Sequence, residues 1–165
     1  MAIDMFLKVS DIIGESQDKQ HYEWIEVLSF SFGASQKSAG ERSTGGAASA
    51  ERVSMQDFSI VKALDKASPK LFLACCNGKH IPEVTLELCR ATGDKSKYME
   101  YKMKSVLVSS FRKGGSAQGG EGLPLEEVSF NFGEIAWTYT ATDHKTGKRK
   151  GDVKAKWSTV ANTGE

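Results

Sequence analysis

The chain has 165 residues, 39% apolar and 26% charged, which fits one domain of ordinary size (residues 1–165) with a real hydrophobic core. A formal net charge of +1 gives no concentrated basic field of the kind that nucleic acid or an anionic membrane surface attracts. No apolar run reaches the roughly 18 residues that a membrane-spanning helix needs, so no membrane insertion is expected.

The opening residues, Met1 to Lys8, hold no basic n-region, no long apolar h-region and no cleavage site. They predict synthesis in the cytoplasm and, if the chain leaves, export without a standard signal peptide. Residues 5–9 form a short apolar strand. Residues 11–20 are polar with one glycine and read as a loop. Residues 22–32 form a second strand, antiparallel to the first. Its alternation puts Trp24, Leu28, Phe30 and Phe32 on one face, which wants a core, and Ile25, Val27, Ser29 and Ser31 on the other. That second face, part apolar and part hydroxyl, suits another protein or a narrow solvated space.

The composition then changes. From Gly33 to Arg52 there is no aliphatic residue larger than alanine, so this stretch cannot build a core. A loop of about twenty residues inside a compact domain is either a loose insertion or an arm that orders on a partner. A strand over residues 53–62 follows, with Phe58 and Ile60 on one face. Ser68 and Pro69 then open the one clear helix as N-cap and first-turn residue, and Asn77-Gly78 closes it. Residues 82–91 alternate, with Val84, Leu86 and Leu88 together. Residues 98–111 alternate in two phases, Tyr101, Met103 and Leu107 against Lys102, Lys104, Val106 and Val108. A glycine-rich loop spans 113–122.

The run from Leu125 to Gly133 repeats the second strand at a spacing of one hundred: Glu26, Ser29, Phe30, Phe32 and Gly33 all recur. The two runs either hold equivalent places in two packed sheets or share only the pattern of a half-buried strand before a turn. The strand continues through Ile135, Trp137 and Tyr139. A basic turn over 143–151 and a last strand over 153–160 complete the chain. Eight or nine strands with one short helix define a mainly β fold, a sandwich or a barrel.

No chemistry emerges. The glycine run from Gly114 to Gly120 lacks the Lys-Ser/Thr ending of a phosphate loop. His21, His80 and His144 are far apart and none pairs with a cysteine at ligand spacing, so no metal site is expected. Cys75, Cys76 and Cys89, odd in number and in apolar segments, read as buried reduced thiols. Adjacent Glu126 and Glu127 face opposite ways on a strand. Lys145, Lys148, Arg149 and Lys150 have no interleaved aromatics and read as a solvated turn, with no nucleic acid. The expectation is a non-enzyme without catalytic residues or cofactors, acting through surfaces: sheet edges and the arm, which could join copies into rings or filaments.

The residues also resemble a known family. Phe6-Leu7-Lys8, Gly14-Glu15-Ser16, His21 and the run from Ile25 to Gly33 are similar to the opening of the haemolysin-coregulated proteins, Hcp. Gln56-Asp57-Phe58, the run from Leu64 to Leu71, and Gly78-Lys79-His80 resemble that family's middle. Val106 to Ser110 and Glu127 to Phe132 resemble its later strands, while the tail beyond Asp143 matches least. The resemblance implies a two-sheet β-barrel or sandwich with one helix at its side, related to phage tail tubes. It implies homohexameric rings that stack into the tube of the type VI secretion system, working with sheath and spike proteins and carrying small effector proteins in the lumen. The place implied is the bacterial cytoplasm and then the exterior. The arm, about 33–52, would match the family's inter-ring loop, with Ser35, Gln36, Lys37, Glu41 and Arg42 as its contact residues. Ser29 and Ser31 would face the lumen or the subunit seam. The alternative is a ring-forming effector chaperone or adaptor that builds no long tube.

Overall fold

A computed structural model describes residues 3–36, 52–91, 95–117 and 122–165. The described strands are β1 (Ile3–Val9), β2 (Ile25–Val27), β3 (Ser29–Ser31), β4 (Ala34–Ser35), β5 (Ser54–Met55), β6 (Phe58–Ala63), β7 (Ile81–Arg90), β8 (Lys97–Lys113), β9 (Leu125–Thr142), β10 (Arg149–Ser158) and β11 (Thr163–Gly164). The helix α1 spans Ser68–Asn77. The mainly β class with one helix at the side is as expected. Nine strands share one curled sheet, and β4 and β5 form a separate two-stranded ribbon.

The pairings trace the curl. From β9 the ladder passes through β8, β7 and β1 to β2, and on the other side of β9 it passes through β6 to β3. All these pairings are antiparallel. The run over residues 25–31 is therefore two strands rather than the single strand expected. Its first piece pairs with β1 (Met5 opposite Val27) and its second with β6 (Phe30 opposite Ile60). Between them Leu28 donates its backbone N–H to Val61 O at 2.8 Å.

This change of partner shifts the side-chain phase by one residue, which reverses the faces. Ile25 and Val27 are buried, whereas Leu28 is 56% exposed. Phe30 and Phe32 do turn inward, stacking on Phe58 at centroid distances of 5.8 and 4.9 Å. The repeated run is not an equivalent strand in a second sheet. Both runs belong to the same sheet and flank β6.

A similar shift explains the two phases of β8. Ser105 takes φ +54°, and Met103 on one side and Val106 and Val108 on the other all face the core. Leu107, expected beside Met103, is exposed. In β9 the residue at the same level is Gly133, where a Cβ would lie 3.1 Å from Ser105 Cβ. Both strands change phase together and the sheet turns a corner.

The helix lays Leu71 and Ala74 into the core and its Phe72 ring edge against Phe111 of β8. Gly78 closes it with the left-handed φ of +64° expected of a C-terminal glycine. Ser68 is not the N-cap. The cap position falls on Ala67 without a side-chain bond, and Ser68 is buried and diverted elsewhere. Its hydroxyl donates to Glu126 Oε2 at 2.7 Å and accepts from Lys62 Nζ at 2.9 Å. Lys62, on the inward face of β6 with 0% exposure, also reaches Glu126 Oε2 and Asp65 Oδ1, both at 2.8 Å. One ammonium thus ties β6, β9 and the start of α1 together.

Removing one member of a buried pair strands the other charge, at a cost of about 3–5 kcal/mol. Lys62→Met, which leaves the buried Glu126 carboxylate without its cation, should therefore lower unfolding free energy by about that amount, and Lys62→Met with Glu126→Leu should recover most of it. Urea unfolding at fixed protein concentration measures both.

Candidate functional site

The outward face of β3, β6, β9 and β8 is the first feature built by this register. Ser31 stands opposite Ser59, Ser59 opposite Ser129, and Ser129 opposite Ser110. Four short hydroxyls form one row across four strands, with Ser31 and Ser110 exposed at its ends, Ser59 half-buried and Ser129 buried, and with Ser59 Oγ and Ser129 Oγ 2.7 Å apart. Ser29 lies on the same side, opposite Val61, and both Ser29 and Ser31 are exposed. Beside the row, Asp57 accepts hydrogen bonds from Ser109 Oγ and Asn131 Nδ2 at 2.7 and 3.0 Å. Of this face the sequence singled out only Ser29 and Ser31. The repeat at one hundred pointed to Ser129, but it matched that residue to Ser29, while the ladder aligns it with Ser31.

The second feature is the foot of the arm. After Phe32 the chain leaves the body as β4, and it returns as β5, with Ala34 opposite Met55 and Ser35 opposite Ser54. Ser35 and Gln36 are exposed. Lys37, Glu41 and Arg42 lie outside the described residues. A hollow of about 520 Å³ opens beside the ribbon, lined by Phe32, Met55, Met99, Tyr101, Trp137 and Trp157 with Gln36 at its margin. It is predominantly aromatic and sulfur-bearing. α1 adds a further apolar surface, because Phe72 and Leu73 are exposed.

The third feature contradicts the expectation about histidine and cysteine. His21, from the loop after β1, sits beside Cys89 of β7, with Nε2 and Sγ 3.9 Å apart. Its Nδ1 is 2.8 Å from Asp18 Oδ1 and its Nε2 is 2.6 Å from Glu87 Oε2. The imidazole is buried, stacked on Phe6 at 4.2 Å. The hydrogen bond from His21 holds the Asp18 carboxyl below its ordinary value. Burial first, and then the Glu87 carboxylate, push the Cys89 thiol up to about 11. The strand register, not sequence spacing, makes this cluster.

The three cysteines are not alike: Cys89 is buried, Cys75 is half-buried and Cys76 is exposed on the outer side of α1. The basic turn is exposed as expected, with Asp143 Oδ1 accepting from the backbone N–H groups of Lys145 and Thr146. Among the described residues, no helix is long and apolar enough to cross a membrane.

A curled sheet with one flanking helix and a small two-stranded ribbon is the architecture of solved type VI secretion proteins. The chain is similar along 99% of its length to a solved structure described as a type six secretion system protein, covering 100% of that chain at 35% identity and a TM-score of 0.92. Hcp1 from Salmonella typhimurium gives 32% identity and a TM-score of 0.81 over 100% of both chains. The family described as "Type VI secretion system effector, Hcp" matches residues 6–139. Protein hcp1 of Pseudomonas aeruginosa is 41% identical over 163 residues, 98% of each chain. The chain belongs to the Hcp family of type VI secretion proteins.

A thiol reagent should leave Cys89 unmodified until denaturant is added, and should label Cys76 quickly in protein dilute enough to hold single chains, where that side of α1 is uncovered. Mass spectrometry of peptides after timed labelling checks the order.

Proposed function

We propose that this chain is the subunit of the type VI secretion tube, closing as a homohexameric ring and stacking ring on ring. The observation that carries this beyond family membership is the exposed apolar surface of the single chain. The aromatic hollow at the ribbon foot and the Phe72–Leu73 side of α1 are what a subunit interface covers. In this reading the arm that leaves the body at the Ala34–Ser35 ribbon strand reaches an adjacent ring, with Ser35, Gln36, Lys37, Glu41 and Arg42 as its proposed contact residues. The hydroxyl row, with Ser29 beside it, faces the lumen in this reading. Short hydroxyls can hydrogen-bond to a passing protein without holding it through buried apolar area. Small effector proteins are therefore the cargo, and sheath and spike proteins are the outer and distal partners. The protein is made in the bacterial cytoplasm and leaves with the tube, with no catalytic step of its own.

Electron microscopy of concentrated protein should show rings with a central hole, and end-on stacks of them. Ser31→Gln should leave the rings intact and weaken retention of a co-expressed small effector by roughly tenfold or more, the loss expected for about 1.4 kcal/mol of contact energy. Rings that dissociate on this substitution would put Ser31 at the subunit seam instead, and an absence of rings in the unmodified protein would overturn the reading.

A further inference from the structure

We infer that His21, Glu87 and Cys89 form a binding site for one zinc-class divalent cation. Three observations converge on it. First, the donors are of the right kinds: an imidazole nitrogen, a carboxylate oxygen and a sulfur all lie within 4.8 Å of one another. A tetrahedral cation with bonds of about 2.0–2.3 Å sets its donors roughly 3.3–3.8 Å apart. The 3.9 Å between His21 Nε2 and Cys89 Sγ is close to that already. The 2.6 Å contact between Nε2 and Glu87 Oε2 must open, which a turn of the half-buried Glu87 carboxylate achieves.

Second, the histidine is pre-oriented. Asp18 Oδ1 engages Nδ1 at 2.8 Å, so that nitrogen donates its proton to the carboxylate and Nε2 is the atom aimed at Glu87 and Cys89. A carboxylate behind the imidazole is the arrangement that fixes a metal-binding histidine. The Phe6 ring, stacked on the imidazole, holds its plane. Both Nε2 and Oε2 are lone-pair atoms, so at 2.6 Å a proton lies between them in the metal-free protein. The cation takes the place of that proton and of the Cys89 thiol proton, leaving a neutral imidazole, a carboxylate and a thiolate around a charge of plus two.

Third, a further carboxylate and a surface cavity lie beside the cluster. Asp4 stands directly opposite Cys89 in the β1–β7 ladder. Asp4, Gln17 and Asp18 line a cavity of about 530 Å³ on the protein surface, with Lys95 at its edge. Asp4, which shares a face of the ladder with Cys89, or a water molecule would take the fourth position. Lys97, 3.6 Å from Glu87 Oε1, is the competing cation and is also held by Glu100 at 2.6 Å. A thiolate in the set favours zinc, cobalt or cadmium over magnesium or calcium, which prefer oxygen alone. The bound ion would clip the loop carrying Asp18 and His21 onto β7.

The test uses the full-length protein after chelator treatment, titrated with cobalt(II). One ion per chain should bind, with a near-ultraviolet sulfur-to-metal charge-transfer band and the intense visible bands of four-coordinate cobalt. Zinc should displace it and raise the melting temperature, and magnesium should do neither. Cys76→Ser should leave the spectrum unchanged, Cys89→Ser should remove the charge-transfer band, and Asp18→Asn should weaken cobalt binding by about 10–100-fold. Absence of the charge-transfer band in the unmodified protein, or its persistence in Cys89→Ser, would overturn the assignment. His21→Gln that binds as tightly as the unmodified protein would do the same.

Discussion

The run from Ile25 to Ser31 has to serve two neighbouring strands, and the junction at Leu28 lets it do so. The first piece completes the ladder on β1 and the second completes the ladder on β6. A side-chain period of two would keep one face inward throughout, but the change of partner breaks that period. Ile25 and Val27 enter the core before the junction, and Phe30 turns toward Phe58 after it. This allows the sheet to curl, and it sends the chain out at Gly33 toward the arm.

The outer surface follows from the same register. Because Ser31 aligns with Ser59, and Ser59 with Ser129, the hydroxyls gather on one outward face. The corner at Ser105 and Gly133 bends β8 and β9 together, so the aromatic residues beyond it contribute to a hollow at the ribbon foot. Lys62 holds the opposite side, fixing α1 against β6 and β9 through Ser68, Asp65 and Glu126. A lysine in a strand would ordinarily face solvent; here its partners surround it and its position is specified by charge.

Much of this was legible in the sequence. Alternation located nearly every strand, and Gly78 ended the helix where it was expected to end. What alternation could not show was a change of phase within a run. Leu28 and Leu107 were both placed with inward residues, and both are exposed, because a junction or a left-handed residue intervenes. Ser68 has the right residue type for an N-cap, but Lys62 and Glu126 compete for its hydroxyl. The His21 and Cys89 contact was invisible because 68 positions separate the two. Only the ladder between β1 and β7 and the fold of the loop carrying His21 bring them together. Ser29 and Ser31 lie off the aromatic face, as the alternation with Phe30 and Phe32 predicts, and the repeat pointed to Ser129, whereas Ser59 and Ser110 gave no local signal that they would join them.

In the proposed tube, the apolar surface that the single chain exposes is covered by copies of itself. The most direct measurement is the mass of the purified protein in solution over a wide concentration range, by native mass spectrometry with light scattering. The account predicts a species six times the 18.0 kDa chain mass. A protein that remains a single chain at every concentration would contradict it.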